Sequence, residues 1–169
     1  MKNSNIIAIM GPSGSGKTTL ADNLAIRNNL AIPRHCTTRL PRNDDKEKFY
    51  RYFTHEKYKK EFDLGHFLIS SGDGPDIKKE YGNFYGVLKS DCIDAFERSN
   101  TIILFVSYKD IDKLINLKKA GFNINIIDLT FTNIAQGIKN RLIGNIERNH
   151  TLEDIDSRIR NAVIDNEKY

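Results

Sequence analysis

The strongest constraint on the fold is the stretch GPSGSGKTTL, residues 11–20. Its glycines alternate with small residues up to Lys17 and Thr18, an isoleucine-rich run at residues 5–10 precedes it, and apolar residues at helical spacing follow it. The pattern G-x-x-x-x-G-K-[ST] between a strand and a helix is typical of a loop that binds phosphate through backbone N–H groups and the positive end of the helix. We therefore expect a strand, a phosphate-binding loop and a helix.

This loop also assigns roles to individual side chains. Lys17 is expected to reach the β- and γ-phosphates of ATP, and the Thr18 hydroxyl to take a coordination position on Mg²⁺. A glycine turn that only connected two elements would need neither side chain. ATP and Mg²⁺ are thus the predicted cofactors, and the predicted nucleotide-binding residues are Gly11, Ser13, Gly14, Ser15, Gly16, Lys17, Thr18 and Thr19.

Further strands and helices alternate along the chain. Residues 101–106 and 122–129 are isoleucine-rich and are predicted to be buried strands. Strands that alternate with amphipathic helices favour a parallel sheet covered on both faces, so the predicted class is α/β with three layers. Helix starts are predicted at Ser107 with Asp110, at Thr132, and at Thr151 with Asp154.

The middle third interrupts this alternation. Residues 43–86 are rich in aromatic residues and contain a turn cluster at 72–75, which suits a small inserted subdomain. We expect this subdomain to bind the acceptor, the molecule that would receive a phosphoryl group from ATP. Residues 145–149, which include Arg148, are predicted to form a mobile lid over the loop at 11–16.

Two arginines define a second anionic site. Arg39 and Arg42 follow a predicted strand at residues 30–32 and are stiffened by Pro41 between them. A pair of planar guanidinium groups at this spacing would bind a phosphate monoester. On these residues alone, a solvated basic loop is the alternative.

The segments GPSGSGKTTL, TTRLPR, KFYRYF and GNFYG, in this order and continuing through RLIGNIERN and DIDSRIRNA, resemble the guanylate kinase family of P-loop nucleoside monophosphate kinases. The resemblance implies transfer of the γ-phosphoryl group of ATP to a phosphorylated acceptor, most simply a nucleoside monophosphate such as GMP. It also implies one domain with the P-loop NTPase three-layer fold, with a core at 1–36 and 87–169, an acceptor-binding insertion at about 37–86, and a lid at about 144–151.

The resemblance further implies site residues. Those that match the family's acceptor-phosphate residues are Arg39, Arg42, Tyr50 and Tyr85, and His35 stands where a small hydroxyl residue usually contacts guanine. Lys17 acts on the donor phosphates. Arginines that match the family's lid and neighbouring positions are expected to neutralise the transferring phosphoryl group, since phosphoryl transfer is catalysed mainly by positioning and charge; they are Arg141, Arg148 and Arg158.

Three positions depart from the family pattern. Ile69 stands where a glutamate is expected, and Phe105 and Ser107 stand where a strand usually ends in two aspartates. Isoleucine cannot accept hydrogen bonds from a guanine base. One alternative is therefore a ribose 1,5-bisphosphate kinase, whose acceptor has no base. The other is a catalytically inactive nucleotide-binding or scaffold module, against which the intact Lys17 and Thr18 argue.

Composition limits the remaining possibilities. The chain has 169 residues, enough for a single domain, and a net charge of +4 from 26 basic and 22 acidic residues, too weak an excess to indicate nucleic acid. Two cysteines without a metal-binding pattern suggest reduced structural thiols. The apolar runs at 6–10 and 102–106 are too short to span a membrane. We expect a cytoplasmic monomer or homodimer whose partner is a nucleotide or sugar phosphate.

Overall fold

The computed structural model describes residues 4–12, 14–42, 45–46, 48–71 and 83–129. None of the helices in this part of the chain combines the length and hydrophobicity needed to cross a bilayer. The elements are β1 (Asn5–Met10), α1 (Lys17–Asn28), β2 (His35–Thr37), β3 (Tyr50–Tyr52), α2 (His55–Asp63), β4 (Phe67–Ser70), β5 (Tyr85–Leu88), α3 (Lys89–Arg98), β6 (Thr101–Phe105), a 3₁₀ turn (Tyr108–Asp110), α4 (Ile111–Lys119) and β7 (Asn123–Asp128). The helices predicted from Thr132 and Thr151, the lid and the turn cluster at 72–75 lie outside the described residues.

A parallel sheet in the order β6-β1-β7 forms the core. Alternate residues of its strands face opposite sides, as the period of a β-strand requires. Ile9 and Ile103 pack on one side with Ala21 of α1. The other side packs against α3 and α4, through Ile6, Ala8, Ile102, Leu104, Cys92, Ala95 and Leu114. Helices therefore cover both faces of the sheet, and the predicted α/β three-layer fold is confirmed.

Three local expectations were wrong in detail. β7 is not a buried strand, because its residues are exposed or half-buried and Ile126 is 49% exposed. The strand predicted at 30–32 is a single bridge of Ala31 to β6. The Ser107 hydroxyl accepts a hydrogen bond from the N–H of Lys109 and so caps the 3₁₀ turn, and α4 begins only after that turn, at Ile111.

A second sheet lies within residues 35–88, in the order β3-β2-β5-β4. β2 is parallel to β3 and antiparallel to β5, which in turn pairs antiparallel with β4. Helix α2 packs on this sheet through Tyr58, whose ring stacks between Phe67 and Phe84 with centroids 4.6 and 5.4 Å away. The aromatic residues noted in the sequence thus form a small hydrophobic core of their own.

Several polar contacts connect the second sheet and its loops to the core, among them the following three. Asp22 of α1 pairs with Lys46 and Lys48 in the loop before β3. Arg51 of β3 donates to Asp91 of α3 at 2.7 Å. The third contact joins His35 of β2 to the end of β6.

Candidate active site

The glycine loop begins at the carboxyl end of β1, between the ends of β6 and β7. The N–H of Val106 donates to Ile9 and the N–H of Leu129 donates to Met10, at 3.1 and 3.0 Å, so both neighbouring strands hold the end of β1. Ligands of open parallel sheets bind outside the carboxyl ends of the strands. The fold therefore places the loop at the edge where such sheets bind their ligands.

Within the loop, the lysine lies across the backbone. Lys17 Nζ donates to the carbonyl oxygens of Gly11 and Pro12 at 2.6 and 2.7 Å. Gly16 is the N-cap of α1 with φ of +91°, a conformation that glycine adopts at no steric cost, and it has no side chain to cap the helix. An N-terminus without a side-chain cap suits a helix whose first N–H groups bind an anion.

The other predicted loop residues take the expected places. Gly14 and Ser15 form the turn before the helix, while Thr18 and Thr19 lie in the first turn of α1, half-buried and exposed respectively. Ser13 lies outside the described residues.

The second feature of the site is a buried arginine. Arg39 is only 7% exposed, which is unusual for a charged residue, and its two terminal nitrogens each donate to Asp45 at 2.6 Å. Its carbon Cζ lies 4.8 Å from the ring centroid of Tyr50 and 5.7 Å from that of Tyr52. We call these four residues, Arg39, Asp45, Tyr50 and Tyr52, the Arg39 cluster.

Asp45 is the acceptor at the centre of the Arg39 cluster. Besides Arg39, its carboxylate accepts from the hydroxyl of Tyr52 at 2.5 Å and from the backbone N–H of Arg42 at 2.7 Å. Burial raises the pKa of Asp45, but the hydrogen bonds from Arg39, Tyr52 and Arg42 outweigh it and hold the pKa below its ordinary value. Burial and the bond to Asp45 together raise the pKa of Tyr52 to about 12. At neutral pH Arg39 and Asp45 thus form an ion pair, and the hydroxyl of Tyr52 is protonated.

Of the acceptor residues that the sequence predicts, Tyr50 lies against Arg39, with its ring centroid 4.8 Å from Cζ. Tyr85 lies on β5, which pairs with β2, the strand that precedes Arg39. Arg42 joins through its backbone bond to Asp45. The remaining predicted arginines, Arg141, Arg148 and Arg158, lie outside the described residues.

His35 is placed differently from its expected role as an acceptor-binding residue. It is 4% exposed, its Nε2 accepts from the N–H of Phe105 at 3.0 Å, and its Nδ1 lies 3.1 Å from the carbonyl oxygen of Pro33. An N–H must donate and a carbonyl must accept, so the ring is the neutral tautomer protonated at Nδ1. Burial lowers the pKa of His35 to about 4, partly offset by the bond to Pro33. Both ring nitrogens are bonded within the protein, so the expectation that His35 contacts a ligand is corrected.

The reason lies in the outer edge of β6. The other edge of this strand pairs with β1, and on the outer edge Ala31 bonds to residues 101 and 103. The N–H of Phe105 lies on the same edge, two residues after Ile103, and its acceptor is the imidazole of His35 in β2. The imidazole supplies the acceptor that a buried backbone donor requires.

The positions that depart from the family pattern also have structural partners. Ile69 is buried in the main core, and Phe105 packs on the rings of His35 and Phe49 with centroids 4.7 and 6.3 Å away. The Ser107 hydroxyl caps the 3₁₀ turn. At the three positions where the family pattern has acidic residues, this chain thus has side chains that pack or cap within the fold.

Two residues of the Arg39 cluster, Asp45 and Tyr52, were not predicted. The only signal for Asp45 in the sequence is its position, six residues after Arg39 and three after Arg42. Such spacing in a loop does not by itself indicate contact. Tyr52 follows Tyr50 by two residues, which places both on one face of β3. This alternation could have identified Tyr52 once β3 was known.

Comparison with known proteins gives one consistent family. No family model matches the chain. A guanylate kinase of Clostridium tetani is 29% identical over 144 residues, covering 85% of this chain and 64% of the relative. Those of Campylobacter jejuni and Fusobacterium nucleatum are 29% and 26% identical, covering 93% and 94% of this chain and 72% and 79% of the relatives. The chain thus spans less than two thirds of the Clostridium protein and about three quarters of the other two.

The fold comparison agrees with these sequences. The crystal structure of guanylate kinase from Anaplasma phagocytophilum matches with a TM-score of 0.60 and 16% identity, over 99% of this chain and 72% of that one. At this identity the match concerns the fold alone. The resemblance noted in the sequence is therefore confirmed: the chain is similar to guanylate kinases in sequence, and it has the P-loop NTPase fold.

Proposed function

We propose that this protein transfers the γ-phosphoryl group of ATP to the phosphate of a nucleoside monophosphate, GMP. The observation that carries the proposal is that two features suited to binding anions, the glycine loop and the Arg39 cluster, lie on segments that contact each other. The glycine loop leads into α1, and Asp22 of α1 pairs with Lys46 and Lys48, in the same loop as Asp45. A donor phosphate on the first feature and an acceptor phosphate on the second would suit in-line transfer.

On the donor side, residues 11–19 would hold the phosphates of ATP. Lys17 now donates to two carbonyl oxygens of the loop, so its ammonium already lies over the loop. A bound phosphate would offer it a charged acceptor in place of two neutral ones, and hydrogen bonds between ionised groups are roughly twice as strong as neutral ones.

The residues present fit a magnesium ion held mainly by the nucleotide. Among the described residues there is no group of three or more His, Cys, Asp or Glu that could hold a metal by itself. Mg²⁺ keeps several waters and usually takes one or two protein ligands plus substrate phosphates. Thr18, in the first turn of α1, would supply the protein ligand. When bound, the ion would neutralise charge on the transferring phosphates.

On the acceptor side, Arg39, Arg42, Tyr50 and Tyr85 would bind the phosphate of GMP. We assign the acceptor-binding part to about residues 37–86, with the core at 1–36 and 87–169. A lid at about 144–151 would close over ATP, and Arg141, Arg148 and Arg158 would neutralise the phosphoryl group in transit. No catalytic base is needed, because the attacking phosphate oxygen is already anionic.

The proposal includes the setting in which the protein works. We propose a small-molecule enzyme of the cytoplasm, monomeric or homodimeric, with no nucleic acid partner and no membrane association. The relatives reported above are all named guanylate kinases, so neither ribose 1,5-bisphosphate as the acceptor nor an inactive scaffold module is favoured.

Turnover with a panel of acceptors tests the proposal. ADP release from ATP and Mg²⁺ would be measured with GMP, dGMP, AMP, CMP, UMP and ribose 1,5-bisphosphate. We expect the highest kcat/KM with GMP and a loss of at least about a hundredfold in Lys17→Ala. Lys59→Ala is the matched control, since Lys59 pairs with Asp63 on the surface of α2. Turnover that survives Lys17→Ala would refute the phosphate-loop mechanism, and turnover only with ribose 1,5-bisphosphate would refute GMP as the acceptor.

A further inference from the structure

We propose that Asp45 is a positioning residue that fixes the guanidinium of Arg39 so that one edge is presented to the acceptor phosphate. The inference rests on the proposed function, because it concerns the acceptor phosphate. It adds a residue to that site and a reason why Arg39 is buried.

The first step is an account of the donors of Arg39. A guanidinium has five N–H groups. Three are engaged: Nη1 donates to Asp45 and to the carbonyl oxygen of Leu40 at 2.9 Å, and Nη2 donates to Asp45. The two others, the N–H of Nε and the second N–H of Nη2, take no part in these three bonds. They point the same way along one edge, which is the geometry that binds two oxygens of a phosphate.

The second step is the rigidity of Asp45. Its Oδ2 accepts from Arg39, Tyr52 and the N–H of Arg42, and its Oδ1 accepts from Arg39. The side chains of Asp45 and Arg39 are 11% and 6% exposed, so water competes little for these bonds. Tyr50 and Tyr52 flank the guanidinium within 6 Å, the range of cation–π attraction. The arginine is thereby held before any acceptor arrives, which lowers the entropy cost of binding.

The same contacts allow an opposite interpretation, in which Asp45 imitates the acceptor phosphate and must be displaced by it. Displacement would leave the hydroxyl of Tyr52 and the N–H of Arg42 without their acceptor, and it would move a carboxylate out of four hydrogen bonds. Positioning requires no such loss, because the phosphate binds the other edge of the guanidinium. The two interpretations predict opposite effects on affinity.

The test is a double-mutant cycle on GMP affinity. Asp45→Asn, Arg39→Ala and the double variant would be measured by calorimetry with GMP, and by the KM for GMP and for ATP. An asparagine amide cannot accept the hydrogen bonds made to both carboxylate oxygens. We expect Asp45→Asn to raise the dissociation constant of GMP about tenfold, with the KM for ATP changed less than about twofold, and to have no further effect when Arg39 is already alanine.

Matched variants separate this effect from loss of structure. Asp63→Asn removes an exposed carboxylate that pairs with Lys59 on α2, and GMP affinity should not change. Tyr52→Phe removes one donor to Asp45 and should raise the same constant about threefold, which keeps the inference testable should Asp45→Asn fail to fold.

The outcomes are distinct. Tighter or unchanged GMP binding in Asp45→Asn would overturn positioning, as would an equal loss of affinity in the Arg39→Ala background. Failure of the proposed function would appear first and elsewhere, as wild-type protein that binds ATP but neither binds nor phosphorylates GMP.

Discussion

Stability at mildly acidic pH should depend on His35, because this buried imidazole joins the two sheets. Its pKa falls from the ordinary value of 6.5 to about 4 on folding. The unfolded chain therefore binds the proton more readily, so His35 contributes fully to stability above about pH 6.5 and the contribution is lost as the pH falls toward 4.

The magnitude follows from the two pKa values. Each pKa unit corresponds to about 1.4 kcal/mol, so acidification from pH 7 to pH 5 should lower the free energy of unfolding by about 2 kcal/mol through this residue. His35→Gln removes the titrating group. It should also cost about 1–3 kcal/mol at pH 7, because the N–H of Phe105 then loses a well-placed acceptor.

The assay is urea unfolding at pH 7 and pH 5 for the wild type, His35→Gln and His66→Gln. His66 is an exposed histidine, so its variant serves as the control. The difference between the two pH values should be about 2 kcal/mol smaller in His35→Gln than in either other protein. An equal pH dependence in all three proteins would show that His35 is not buried and neutral between the sheets.

Two further predictions concern the packing of the second sheet and the thiols. Gly86→Ala should destabilise the fold by about 1–3 kcal/mol in chemical denaturation, since a Cβ there would lie 2.8 Å from both Tyr58 Oη and Phe67 Cδ1 and 2.9 Å from the carbonyl oxygen of Ile69; a variant as stable as the wild type would contradict this close packing. Cys36 and Cys92 should not react with a thiol reagent at pH 8 until the protein unfolds, because burial raises the pKa of each thiol to about 12; rapid labelling of the native protein would contradict their burial.

The sequence predicts the core sheet well because the motif and the apolar runs that form it are long enough to be recognised. β1 and α1 flank a motif of fixed spacing, and β6 and β7 are isoleucine-rich runs that lie within a residue of their expected bounds. The exposure of β7 was not predictable, since it depends on what the strand packs against and not on its composition. The contact of Arg39 with Tyr50 was accessible through the family resemblance alone.

The second sheet was predicted only as an aromatic-rich insertion. β2 and β3 have three residues each and β4 and β5 have four, too short for a hydrophobic alternation to be recognised. His35 was placed by its family position, but its partner is 70 residues away along the chain and the bond arises from an edge donor of β6. Asp45 was missed because its four hydrogen bonds become visible only when the loop is folded around Arg39.

Product analysis after a single incubation is the most direct measurement of the proposed chemistry. ATP, GMP and Mg²⁺ would be incubated with the wild type, Lys17→Ala and Lys59→Ala, and the nucleotides separated by chromatography. We expect ADP and GDP in equal amounts from the wild type and Lys59→Ala, and neither from Lys17→Ala. ADP without GDP, or equal GDP from Lys17→Ala, would contradict phosphoryl transfer from the glycine loop to GMP.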